Sequence, residues 1–202
     1  MTSTRAATFI ATVGAAAAGW VVAVQHMQGM DMGTSTELGS FGFFIATWVS
    51  MMAAMMLPGA APAVSAVVRA TGRALAAPIF AGSYVAVWTL FGIAVYALYR
   101  PHGSTVAGAL TIAAGLYELT PLKRSCRRRC RDSVRSGFEF GLFCLGSCVG
   151  LMVMLVALGA MSLTWMAVAA VLVVIQKLVP PSVFIDVPVA LGIVSVGLVV
   201  AL

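Results

Sequence analysis

The chain has 202 residues, of which 61% are hydrophobic and 9% charged. Soluble globular domains carry about 25% charged residues, so this composition excludes an ordinary water-soluble fold and points to a membrane. The net charge of +6 at pH 7 then reads as a topology signal beside anionic lipid, not as a nucleic-acid surface.

A helix needs about 20 apolar residues to cross the hydrocarbon layer. By that measure the predicted spans are 6–25, 41–60, 76–98, 104–121, 138–158, 162–179 and 184–202. Backbone groups in lipid must bond within the segment, so each span is read as a helix. The expected fold class is all-α: a polytopic transmembrane helix bundle of about seven helices, in a single integral membrane domain over 1–202. No loop is long enough to fold as a soluble domain. The first span follows Arg5 and resembles a signal peptide at first sight. Its apolar run is nearer 20 residues than the roughly 7–15 of a signal core, and no clear small-x-small cleavage site follows Val24, which favours an uncleaved helix.

After the first span comes His26-Met27-Gln-Gly-Met30-Asp31-Met32. It is polar enough to be an outer loop, and His26, Met30 and Met32 are soft or borderline donors that could collect copper there. The second span carries Trp48-Val-Ser-Met51-Met52-Ala-Ala-Met55-Met56-Leu-Pro58. A helix turns about 100° per residue, so from Trp48 the methionines fall at roughly −60°, +40°, −20° and +80°. Met51, Met52, Met55 and Met56 thus form one sulfur stripe, with Ala53 and Ala54 on the opposite face. Thioethers suit Cu(I), and methionine also serves as flexible core filler. Pro58 and Pro62 are expected to bound the inner end of this helix.

The fourth span is the weakest, being short and carrying Glu118; the last is soft because Asp186 and Pro188 sit near its start. Six helices is therefore an alternative to seven. Between the fourth and fifth spans lies a basic inner loop, Lys123-Arg-Ser-Cys126-Arg-Arg-Arg-Cys130-Arg-Asp132. If helical, it puts Cys126 and Cys130 on one side, and adjacent arginines favour the metal-binding thiolate. In the fifth span Cys144, Cys148 and Met152 recur every four residues and share about 80° of helix face. Two thiols and a thioether make a soft-metal face, while Gly146-x-x-x-Gly150 suits close helix packing on another side. Buried cysteines also behave simply as small hydrophobes. Glu118, Glu139 and Asp186 lie near the inner interface, where pairing with basic neighbours is the expected role. His102 is read as a solvated loop residue.

Basic residues gather in cytoplasmic loops. With the N-terminus cytoplasmic, 11 of the 12 lysines and arginines fall inside, and only Arg100 falls outside.

Three segments together resemble a known family: Trp48-x-x-Met51-x-x-Ala54-Met55-Met56-x-Pro58, Tyr117-x-Leu119-Thr120-Pro121-Leu122-Lys123-x-x-Cys126-x-x-x-Cys130, and Cys144-x-Gly146-x-Cys148-x-x-Leu151-Met152. The chain is similar to the DUF2182 family of predicted metal-binding integral membrane proteins. The resemblance covers residues 48 to 178 and implies a multi-helix bacterial membrane protein, with copper the usual suggestion. That family usually shows Cys-x-Gly-Cys-Cys-Trp. Here Ser147 replaces the first paired cysteine and Val149 the tryptophan, so methionines carry more of any site. Gln176-Lys177-Leu178 stands where the family has Glu-Lys-Leu, so any role of that acid does not carry over.

The leading expectation is a copper(I)-binding protein of the bacterial inner membrane, multi-pass, that handles or translocates copper. Its route runs from His26, Met30 and Met32, through the second and fifth spans, toward Cys126 and Cys130. The alternative is an accessory or assembly subunit packed within a larger membrane complex, such as a copper oxidase or monooxygenase. Expected partners are membrane lipid, with a copper-protein complex or further copies of the chain, and no nucleic acid. No enzyme activity is expected: there is no Cys-x-x-Cys pair and no histidine pair for haem within the bilayer. No nucleotide-binding loop is present, so ATP-driven pumping would need another subunit.

Overall fold

The computed structural model describes residues 2–27, 38–132, 136–159, 162–179 and 182–202. Every regular element among them is a helix: α1 (Thr2–Met27), α2 (Phe41–Thr71), α3 (Ala76–Leu98), α4 (Ser104–Tyr117), α5 (Pro121–Asp132), α6 (Gly137–Gly159), α7 (Leu163–Leu178) and α8 (Val183–Ala201). Four stretches are long and apolar enough to cross a membrane: Phe41–Thr71, Ala76–Leu98, Gly137–Gly159 and Phe184–Ala201. A fifth is added if α4 and Pro121–Cys130 are one span bent by 64°; the apolar helices Gly14–Gln25 and Leu163–Lys177 are shorter.

Three boundaries depart from expectation. Helix α2 does not stop at its prolines but runs on to Thr71. Each proline removes only one N–H from the ladder, and Ala60, Ala61, Ala63 and Ala66 are strong helix formers around them. The stop comes at Gly72, where φ is 64° and the N–H bonds the Val68 carbonyl at 2.9 Å. Few residues other than glycine adopt that left-handed cap. His26 and Met27 close the last turn of α1 instead of opening a loop. The expected span 104–121 breaks at Tyr117, and the basic loop after it is the helix α5. Pro121 starts α5, its fixed φ suiting a first turn, and the Lys123 N–H bonds Thr120 Oγ1 at 3.3 Å.

The helix α5 escapes a hydropathy reading because its inward face is charged. Lys123 and Arg127 are buried and Cys126 and Cys130 half-buried, whereas Leu122, Ser125, Arg128 and Arg129 are exposed. Part of the basic segment is therefore not solvated, contrary to its reading as an inner loop.

Helix α2 packs on α1, α3 and α7; α6 packs on α3, α4, α5 and α7; α4 pairs with α8. In their apolar windows α2 and α6 are 56% and 61% buried, against 28% for α3 and 22% for α8. The two helices richest in sulfur are thus the central ones. The small face of α2 lies against α1, where a Cβ on Gly19 would come within 2.9 Å of the Ser50 carbonyl and 3.1 Å of the Ala54 nitrogen. The outer faces of α3 and α8 expose Ile79, Leu90, Leu98, Phe184, Leu191 and Val199. In water such a surface is an aggregation liability; against hydrocarbon it is an ordinary solvent contact.

Candidate metal centre

Three helices bring thiols and a phenol together. Helix α6 buries Cys144 and Cys148, one turn apart. The Cys144 thiol interacts electrostatically with Cys148 and with Cys130 of α5, which packs against the same core. From α3, the buried Tyr84 hydroxyl is 3.2 Å from Cys144 Sγ. Helix α5 comes this close because Gly146 has no side chain: a Cβ there would stand 2.7 Å from Cys126 Sγ. Tyr117 fixes the same spot by donating its hydroxyl to the Gly146 carbonyl at 2.7 Å. Ser147, where the DUF2182 pattern has a cysteine, donates to the Cys144 carbonyl at 2.8 Å and touches Cys148 Sγ at 3.5 Å.

A lysine closes the cluster. From the last turn of α7, Lys177 crosses the backbone of Gly59 in α2, where a Cβ would collide with its stem and stand 2.8 Å from Nζ. Its ammonium lies 3.4 Å from the Met56 carbonyl, 4.0 Å from Met56 Sδ and 3.4 Å from the Tyr84 hydroxyl. It is also within electrostatic reach of Cys144, Cys148 and Cys130. Among the described residues it forms no ion pair with a carboxylate.

All four stripe methionines are buried in the core, which also contains Met152, Met154 and Met166. Met56 is the one whose sulfur is brought to the lysine. Trp48, at the centre of the stripe, stacks on Phe44 at 5.5 Å between ring centroids and donates its Nε1–H to the Trp88 carbonyl at 2.9 Å. Its role is thereby a packing one between α2 and α3. Cys126 faces Gly146, not the thiol cluster. Met30 and Met32 lie outside the described residues, as does the side chain of His26. His102 tethers its loop, with its ring nitrogens 2.9 Å from the Arg100 carbonyl and 3.2 Å from the Ala157 carbonyl.

A second buried polar group sits beside the first. Lys123 forms an ion pair with Glu118 and donates to Gln176 Oε1 at 2.9 Å, while Gln176 Nε2 donates to Glu118 Oε2 at 2.6 Å. Arg127 donates to Asp186 Oδ1 at 2.7 Å, to the Gln176 carbonyl at 2.7 Å and to the Val179 carbonyl at 2.8 Å. Arg124 approaches Asp186 at 3.5 Å. Glu118 and Asp186 thus pair with basic neighbours, and the pairs fasten α5 to the ends of α4, α7 and α8.

Sulfur donors in an apolar interior suit a soft monovalent ion better than a hard one. The thiols are neighbours rather than a preset cage: no group of three or more His, Cys, Asp or Glu among the described residues is arranged to hold a metal.

A family model described as "PpoB2: Copper chaperone" matches residues 45–200. The chain belongs to the PpoB2 family. No curated protein matches it significantly, and no solved structure does. Membership places the chain in a copper-related family, and the matched region contains every thiol and methionine of the cluster. Tyr84 carries no signal in the sequence, and Gln176 and Lys177 stand out there only in the departure from the family's Glu-Lys-Leu, not as site residues.

Proposed function

We propose that this chain is a membrane-embedded copper(I) carrier, with copper as its cargo, that holds the ion between Cys144, Cys148, Cys130 and Met56. The observation that supports this reading is that the Cys144 thiol of α6 and the Met56 thioether of α2 both lie beside the Tyr84–Lys177 pair, with Cys148 and Cys130 in electrostatic reach. Cys144 and Cys148 are the central ligands, Cys130 the one nearest the basic end, and Met56 a weak donor that lets the ion leave. The orientation expected from the basic residues puts that end, and the N-terminus, in the cytoplasm of a bacterium. His26, Met30 and Met32 serve as an outer collecting group, and the ion passes to a copper-protein partner. Met51, Met52, Met55 and Met152 extend the sulfur path from the cluster, and Cys126 supports the contact between α5 and α6.

The test is Cu(I) stoichiometry of the purified full chain under reductant, for the parent and for Cys130→Ser, Cys144→Ser and Cys148→Ser. Stoichiometric copper in the parent, lost in the Cys144 and Cys148 variants, is the expected result. Unchanged loading in all three variants contradicts the assignment and favours the packing role of an accessory subunit.

A further inference from the structure

Lys177 is the one feature of the cluster that copper binding does not call for. Lys177 is half-buried; an ammonium drawn partly out of water is costly unless paired, and Lys177 finds no carboxylate among the described residues. Its contacts are instead the Met56 carbonyl at 3.4 Å, Met56 Sδ at 4.0 Å and the Tyr84 hydroxyl at 3.4 Å, and it interacts electrostatically with the Cys144 thiol beyond that hydroxyl. Lys123 shows what a purely structural lysine looks like here, held by Glu118 and Gln176.

We propose that Lys177 is a tethered cation that fills the metal position in the copper-free protein, leaves it when Cu(I) enters, and returns to expel the ion. This rests on the copper reading above. Nζ stands 4.0 Å from Met56 Sδ and 3.4 Å from the Tyr84 hydroxyl, which is itself 3.2 Å from Cys144 Sγ, so an ion bound by both sulfurs comes close to the ammonium. The two positive charges cannot share that space: at about 4 Å, even with an effective dielectric near 20, their repulsion corresponds to a factor on the order of a thousand. Lysine suits the task because its charge rides on a flexible four-carbon stem. The path is provided by Gly59, whose missing Cβ leaves room for that stem. No bond to lysine is made or broken and no electron moves; as the Cu–S bond to Cys144 forms its S–H bond breaks and the proton leaves to solvent, and on release of the ion the thiol takes a proton back.

Lys177→Gln removes the charge and keeps most of the length. Gly59→Ala reaches the same end differently, since the three atoms nearest its added Cβ all belong to the Lys177 side chain, which must shift out. Each full-length variant is placed in lipid nanodiscs under reductant and titrated with Cu(I) against a chromophoric Cu(I) chelator. Both are expected to bind Cu(I) about tenfold or more tightly than the parent, and to surrender it to the chelator more slowly. If Lys177→Gln does not fold, Gly59→Ala carries the test alone. A parent that binds Cu(I), with variants of equal or weaker affinity, overturns the inference and leaves the copper reading standing. A parent that takes up no Cu(I) overturns both.

Discussion

Two inward-turned lysines, the buried Lys123 and the half-buried Lys177, divide the interior into regions of different character. Around Lys123 every charge has a partner: Glu118 and Gln176 for the lysine, Asp186 and two carbonyls for Arg127. Around Lys177 the partners are thiols, a thioether and a phenol. The first region is a clamp, since carboxylates and guanidinium fix each other's geometry, although one oxygen of each carboxylate, Glu118 Oε1 and Asp186 Oδ2, accepts no hydrogen bond. The second is a set of polarisable donors around an ammonium, and soft donors of this kind suit a soft ion. Helix α5 belongs to both: Lys123 and Arg127 anchor it, and Cys130 is carried by it into the thiol cluster.

If this division is right, damage to the clamp costs stability and damage to the cluster costs copper. Arg127→Met should have the largest effect, because it leaves the buried Asp186 with only Arg124 nearby; such losses run to about 3–5 kcal/mol. Unfolding in detergent measures it, and adding Asp186→Leu should restore much of the loss by removing the orphaned charge. Cys144→Ser should do the reverse: Cu(I) affinity falls on the order of a hundredfold, as befits a direct ligand, while stability moves by about 1 kcal/mol. Chelator competition and unfolding on the same sample separate the two.

Met56→Leu keeps the core volume and should cost less than about 1.5 kcal/mol of stability, with Cu(I) affinity lower by roughly tenfold. Met51→Leu, its companion on the stripe, should leave affinity unchanged. An equal drop at Met51 would move the binding position along α2. Gly146→Ala is the mildest change. Its Cβ meets Cys126 Sγ at 2.7 Å, so α5 must ease outward, costing about 1 kcal/mol and raising the alkylation rate of Cys130.

Helices α3, α6 and α7 follow their hydropathy nearly to the residue, because each is an apolar run between polar breaks. Helix α5 was hidden because its buried face is made of Lys123 and Arg127, which satisfy each other's partners only once α4, α7 and α8 are in place. The length of α2 was hidden for a different reason: Pro58 and Pro62 are breakers by local rule, and flanking alanines and tertiary packing outweigh them. Within the site, Cys144, Cys148 and Cys130 were legible from residue type and four-residue spacing. The tie to Met56 was not, since it runs through Lys177 of another helix and a gap at Gly59 that no periodicity displays. Ser147 illustrates the limit in the other direction: as a missing thiol it suggested a weaker site, yet its hydroxyl remains beside Cys148 Sγ at 3.5 Å.

The central claim is that sulfur from α2, α5 and α6 forms one copper(I) site. X-ray absorption at the copper edge of the Cu(I)-loaded full chain tests it most directly. The account predicts a Cu(I) spectrum with a sulfur-only first shell of two or three neighbours, depleted by one sulfur in Cys144→Ser. A shell dominated by nitrogen or oxygen, or a sulfur shell that none of the Cys130, Cys144, Cys148 and Met56 substitutions alters, contradicts it.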